Sequence, residues 1–148
     1  MKDLTNSTIS RQNILNNSYA IEEIKNAVGI DGIVFEKQFR FLKNQIAAFY
    51  EVDERTIERY LKTHEKELKV NGYEVFKGKR MKEFLLAYQE KIAGDINVAH
   101  KIRNLGVFNF RAFLNLGMFL LFHISLEKWK TLVTMLHLER LTKSCYLK

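Results

Sequence analysis

Arg55 and Arg59 stand four residues apart in the run ERTIERYLK, with Glu54, Glu58 and Lys62 around them. On a helix this spacing sets the two guanidiniums one turn apart on the same face. A guanidinium so placed can donate to guanine O6 and N7 together, the commonest base-specific contact in the major groove. Glu54 and Glu58 can accept from a cytosine amino group or hold the arginines in position, and Lys62 suits a phosphate oxygen. The chemistry implied is recognition of duplex DNA, with Arg55, Arg59, Glu54 and Glu58 as base-contact candidates. The competing reading is a solvated face whose charges pair at i,i+4, as Glu58 would with Lys62.

Such residues must be carried by something rigid. The stretch Gln45 to Leu61 reads as two short helices joined by a tight turn. Ile46, Ala47 and Tyr50 form one apolar face, Val52 sits in the turn, and Ile57, Tyr60 and Leu61 form the facing stripe. Asp53 is suited to cap the second helix, because its carboxylate can accept from free backbone N–H groups. This is the spacing of a helix-turn-helix, whose second helix, here Asp53 to about Lys62, enters the major groove. Glu51 departs from the pattern, standing where such turns often carry glycine for a left-handed backbone.

Charge supports a polyanionic partner. The 148 residues hold 24 Lys and Arg against 17 Asp and Glu, a net charge of +7. The excess is uneven: residues 54–82 carry nine bases and five acids, whereas residues 1–53 carry six and seven. The positive surplus therefore begins at the proposed recognition helix, as a phosphate-binding surface requires. Hydrophobic residues make up 47%, enough for a core. The single cysteine, Cys145, cannot form an internal disulfide and fits a reducing compartment. No signal peptide is evident, and the longest apolar run, Leu114 to Leu126, is too short to span a bilayer. A cytoplasmic protein with no membrane partner is expected.

Along the chain, residues 1–17 are rich in Asn, Ser and Thr and read as a flexible lead-in. Ser18 reads as the cap of a helix with Ile21, Ile24 and Val28 on one face, ending at Gly29. Ile33 to Leu42 predicts a hairpin about a Lys37–Gln38 centre. Beyond the helix-turn-helix, KTHEKELK extends the second helix to about Lys69, and Asn71–Gly72 marks a turn before the strand candidate YEVF. That strand is expected to pair with the hairpin and complete a winged-helix-like unit. The basic run KGKRMK would then lie beside DNA, with Lys77, Lys79, Arg80 and Lys82 as phosphate contacts. Its alternative is a solvated loop leading into a helix from Met81 to Ile92.

The remaining chain is apolar. Phe108, Phe110, Phe113 and Leu116, in a Phe-rich segment over residues 94–118, suit either a core face or a dimerisation surface. Within residues 119–148, Leu126, Trp129, Leu132, Val133 and Leu136 recur at helical spacing, and a poorly integrated helical tail is expected. The fold class expected is mainly α with a small β-sheet, a winged-helix-like domain over 18–93 and C-terminal helices beyond it.

Enzymatic chemistry finds little support. GIDG at Gly29–Gly32 and GKR at Gly78–Arg80 do not match a phosphate-cradling loop. His64, His100, His123 and His137 fall in no metal-ligand spacing, and HEKE at His64–Glu67 lacks the second histidine of a zinc pair. No catalytic residue, cofactor, metal or small-molecule substrate is expected.

The run FRFLKNQIAAFYEVDERTIERYLKTHEKELKVNGYEVFKGKRMKEF resembles the amino-terminal region of the RhuM-type bacterial DNA-binding proteins, and DINVAHKIRNLGVFNFRAFLNLGM is similar to the next segment of that family. The likeness covers roughly Ala20 to Met118, with FYEVDERTIERYL and NGYEVFKGKR its most specific parts. The resemblance implies DNA binding, in transcriptional control, mobile elements or beside a restriction-modification locus, with a looser kinship to phage antirepressor-type domains. It brings no catalytic site. From Phe119 the sequence departs from the family pattern and relatives run on further, as expected of a truncated or frame-shifted product. Double-stranded DNA and a second copy of the chain are the expected partners. The alternative is a protein-interaction adaptor that uses the same unit on a protein, distinguished by the absence of a steep salt dependence.

Overall fold

The computed structural model describes residues 6–92 and 103–120. Along the chain run α1 (Thr8–Leu15), α2 (Ser18–Val28), β1 (Ile33–Phe35), β2 (Gln38–Leu42), α3 (Lys43–Tyr50) and α4 (Glu54–Thr63). After them come α5 (Glu65–Val70), β3 (Glu74–Lys77), α6 (Gly78–Ile92), β4 (Asn104–Asn109) and α7 (Phe110–Phe119). The fold is α+β, mainly helical with one four-stranded antiparallel sheet in the order β1-β2-β4-β3.

Strand alternation divides the interior in two. Successive side chains of a strand point to opposite faces, so Phe41 and Phe108 enter one core while Leu42 and Val107 enter the other. The larger core is built on α1, α2, α3, α4, α5 and α7, through Ile14, Ile24, Tyr50, Ile57, Leu68 and Phe113 among others. The smaller one lies under α6, whose Met81 and Phe84 pack on Ile33 and Phe76. The sheet thus separates α6 from the helix-turn-helix layer.

The hairpin forms as expected, but its turn is Glu36–Lys37, one residue earlier than the polar centre predicts; both residues take positive φ, 54° and 64°. This is the mirror-image turn that matches strand twist, here achieved without glycine. The strand YEVF also forms, at Glu74–Lys77, after the Asn71–Gly72 turn. Gly72 has φ 118°, and a side chain there would collide with Asn109.

Several expectations are corrected. β3 does not pair with the hairpin: β4 lies between them, bonded to β2 on one side and β3 on the other. The winged arrangement expected from that pairing therefore does not form, because a strand from the Phe-rich segment takes the central position. Phe108, Phe110, Phe113 and Leu116 are buried, so this segment is core and offers no dimerisation surface. Its strand and helix are integral to the sheet and the larger core rather than an appended packing segment.

Nor is the lead-in flexible throughout. Ser7 caps α1 by accepting from the Ser10 N–H, and Arg11, Ile14 and Leu15 are buried. The Ser and Thr that suggest a coil include the capping residue. The second helix of the motif stops at Thr63 rather than Lys69, with His64 between α4 and α5. α6 begins at Gly78, three residues before the expected Met81. The tail helix expected over Ser125–Leu138 and the region from 121 onward lie outside the described residues.

Candidate nucleic-acid interface

The helix-turn-helix is assembled from a buried anchor on each helix. Tyr50 on α3 is fully buried, stacks on Phe113 with ring centroids 5.0 Å apart and donates its hydroxyl to the Phe113 carbonyl at 3.2 Å. Burial pushes the Tyr50 hydroxyl far above its ordinary pKa, so it remains a donor. The ring fits because residue 117 is glycine; a Cβ there would collide with the hydroxyl. Ile57 on α4 is likewise wholly buried against this core.

The turn between them is closed by backbone bonds. Glu51 lies in the left-handed region at φ 59° and ψ 43°, and the N–H groups of Glu51 and Val52 both donate to the Ala47 carbonyl. The glycine-like conformation expected at this position is therefore present, on a residue that adopts it at some cost. Asp53 caps α4 as predicted, its Oδ1 accepting from the Arg55 N–H at 3.1 Å.

With Ile57 turned inward, Glu54, Arg55, Glu58, Arg59 and Lys62 are all exposed on α4. Arg59 also packs its guanidinium 5.6 Å from the Tyr60 ring centroid. Glu58 is engaged by the Lys43 ammonium at the start of α3. This pair tethers the two helices on their outer side, and nothing in the spacing of Lys43 and Glu58 along the chain signals it. Glu58 is thus a positioning group in this arrangement, leaving Arg55, Arg59 and Lys62 as the projecting cations.

The basic run after β3 is not gathered beside α4. Lys79, Arg80 and Lys82 occupy the first turns of α6, on the opposite side of the sheet. Arg80 is held within the protein: it donates to Glu36 at 2.6 Å and Glu74 at 3.2 Å, and its guanidinium lies 4.1 Å from the Phe76 ring centroid. Arg40 joins the same cluster through Glu74 at 2.9 Å. Hydrogen bonds from Arg80 and Arg40 outweigh burial and keep the Glu74 carboxyl below its ordinary pKa. Arg80 therefore joins the hairpin, β3 and α6 and is not available as a phosphate contact in this arrangement. Lys77, Lys79 and Lys82 are exposed, Lys79 with Glu83 at 3.9 Å.

Behind α4 lies a polar network that residue spacing does not reveal. Arg11 of α1 donates twice to Glu67 of α5, at 2.8 Å each, and Asn115 of α7 donates to the same carboxylate at 2.7 Å. Asn71 donates to Asn115 at 2.8 Å, and Arg111 reaches from Asn71 to Asn16 at 2.9 and 2.6 Å. In the sequence, Asn115 is only an interruption of an apolar run; its role depends on three helices meeting. Burial alone would raise the Glu67 pKa, but bonds from Arg11 and Asn115 and the Arg11 charge hold it below the ordinary range.

His64, where α4 ends, belongs to this region. Its ring stacks on Phe119 at 3.9 Å, and Arg11 lies 4.3 Å from the same Phe119 centroid. Burial and the Arg11 charge lower the His64 pKa, against the opposing pull of Glu67. The unfolded chain therefore takes up this proton at higher pH than the native state does. Stability is fully retained above the ordinary histidine value of 6.5 and falls as pH drops below it, until the native His64 also protonates. Thermal melts from pH 7.5 down to pH 5.5 should show a declining midpoint, with the decline reduced in His64→Phe. An equal slope in both proteins would remove His64 as its source.

Among the described residues, no helix is long and apolar enough to cross a membrane, and no cluster of three or more His, Cys, Asp or Glu could hold a metal ion. The described residues form a mainly helical α+β fold in which α3 and α4, joined by a tight turn, leave the outer face of α4 exposed. Comparison with protein-family models, curated proteins and solved structures finds no match.

Proposed function

We propose that this chain binds double-stranded DNA and reads its sequence through α4. The observation that carries the reading is the exposed pair Arg55 and Arg59, one turn apart on a helix anchored by Ile57 and capped by Asp53. A helix so held sets two arginine side chains one turn apart on one face, and each planar guanidinium fork matches guanine O6 and N7 in a bidentate bond. The same residues support kinship with RhuM-type DNA-binding proteins and a role in transcriptional control, mobile elements or a restriction-modification locus. Lys62 supplies a phosphate contact at the end of the same helix.

Selection of bound fragments from random duplex DNA, with binding then measured at several salt concentrations, tests the proposal. Arg55→Ala and Arg59→Ala should each weaken the preferred site by about 1–3 kcal/mol and relax base preference beside it. Lys62→Ala should weaken all duplexes alike and reduce the salt slope by about one. No selected motif, or unchanged specificity in both arginine variants, would refute α4 as the reader. Salt-insensitive association with a protein in place of DNA would favour the adaptor reading.

A further inference from the structure

Lys43 opens α3, and its ammonium meets the Glu58 carboxylate on the outer face of α4. The spacing within α4 points to a different partner for Glu58, namely Lys62, four positions further on. Among the described residues that pair does not form, and Lys43 takes the carboxylate in its place. Arg55, Arg59 and Lys62 make no ion pair among the described residues.

The ion pair adds little to the attachment of the two helices. Lys43 is 35% exposed and Glu58 53%, and pairs of that kind contribute about 0–1 kcal/mol. Ile46, Tyr50 and Ile57, all wholly buried, supply the attachment. What the pair fixes is the direction of one carboxylate. On α4, Arg55 stands three residues before Glu58 and Lys62 four after, the separations at which helix side chains meet. A carboxylate released from Lys43 is within reach of both cations. Against a duplex it would be repelled by the phosphates and by guanine O6 and N7, and attracted by the cytosine amino group. Glu54 differs, because it stands in the first turn, where the helix dipole favours an acid.

We propose that Lys43 is a specificity-determining residue outside the reading helix, acting through Glu58. By drawing the carboxylate toward α3, it leaves Arg55 and Lys62 unquenched and keeps an acceptor off the base edges. The duplex favoured is then one with guanines facing Arg55 and Arg59 and no selected cytosine beside them. This rests on the DNA-binding reading of α4. Were Lys43 only a phosphate contact, its loss would weaken every duplex alike, whatever residue stands at position 58.

Selection of bound fragments from random duplex DNA by the full chain separates these outcomes. Lys43→Ala should gain a cytosine preference beside the guanine positions and bind the wild-type motif about tenfold more weakly, within the discrimination that one base contact supplies. Lys43→Gln, which also lacks the charge, should behave in the same way. Lys43→Arg, which keeps the ion pair, should rescue the motif. In a Glu58→Gln background, Lys43→Ala should change no base preference, because no carboxylate is left to release. The urea midpoint of Lys43→Ala should stay close to that of the wild type, as an exposed pair requires. A Lys43→Ala motif identical to the wild-type one, or a shift that persists in the Glu58→Gln background, would overturn the proposal. A wild-type chain that selects no motif refutes the DNA-binding reading instead, and this proposal with it.

Discussion

Replacing Glu67 with alanine is expected to destabilise the protein by about 3–5 kcal/mol, because it strands a buried charge. Arg11 is 4% exposed and directs two of its donors at this one carboxylate. The Thr8 hydroxyl at 3.0 Å and the face of Phe119 also contact the guanidinium, and neither carries a charge that replaces the carboxylate. Asn115 loses its acceptor as well. A domain stable by about 5–15 kcal/mol would feel such a loss as a large fraction of the whole. Urea unfolding should show a lower midpoint, and hydrogen exchange should show α1 losing protection first, since the ion pair joins it to α5. Glu67→Gln, which can still accept from Asn115, should cost less. A change below about 1 kcal/mol, in the range of exposed ion pairs, would mean that α1 is not anchored by this carboxylate. Acid should mimic the substitution. The native Glu67 pKa is depressed, so its contribution is present above the ordinary value of 4.5 and is lost as pH falls through the native value.

Phe113→Ala should cost a similar amount, about 3–5 kcal/mol, for a different reason: it opens a cavity at the centre of the larger core. Phe113 is wholly buried, with Tyr50, Phe49, Phe41 and Phe110 around it at centroid separations of 5.0, 5.2, 5.4 and 5.5 Å. Two of these neighbours, Phe49 and Tyr50, belong to α3, so the cavity opens directly beneath the helix-turn-helix. Under the proposed DNA-binding function, the loss should therefore appear in DNA affinity as well as in unfolding, because α4 is positioned through α3. Phe113→Leu restores part of the volume and should recover part of both. Full DNA affinity in a folded Phe113→Ala protein would show that α4 is held independently of this core.

The local elements were legible because their determinants are local. Asp53 must precede a helix whose apolar positions recur at Ile57, Tyr60 and Leu61, and a carboxylate cap needs only its own next two residues. The turn at Asn71–Gly72 and the strand at Glu74–Lys77 arise from the same short-range chemistry. The conflict at Glu51 was visible too, and its left-handed backbone is what the spacing requires.

Pairing between distant segments was not legible. A strand's alternation says which side chains share a face but not which strand lies beside it, so β4 could not be placed between β2 and β3 from residue pattern alone. That one placement removed the expected wing, put the Lys79–Lys82 turn across the sheet from α4 and buried the Phe-rich segment expected to dimerise. Charged residues were uncertain for a related reason: an exposed-looking Arg or Glu acquires a role only when its partner arrives from far along the chain. Arg80 with Glu36, Lys43 with Glu58 and Arg11 with Glu67 are separated by 44, 15 and 56 residues. Sequence by itself determined the helix-turn-helix and the outward arginines of α4, since i,i+4 spacing and capping act within one or two turns. Only the tertiary structure decided which of the remaining charges hold the fold together and which strands lie side by side, because both depend on contacts between segments whose separation carries no periodic signal.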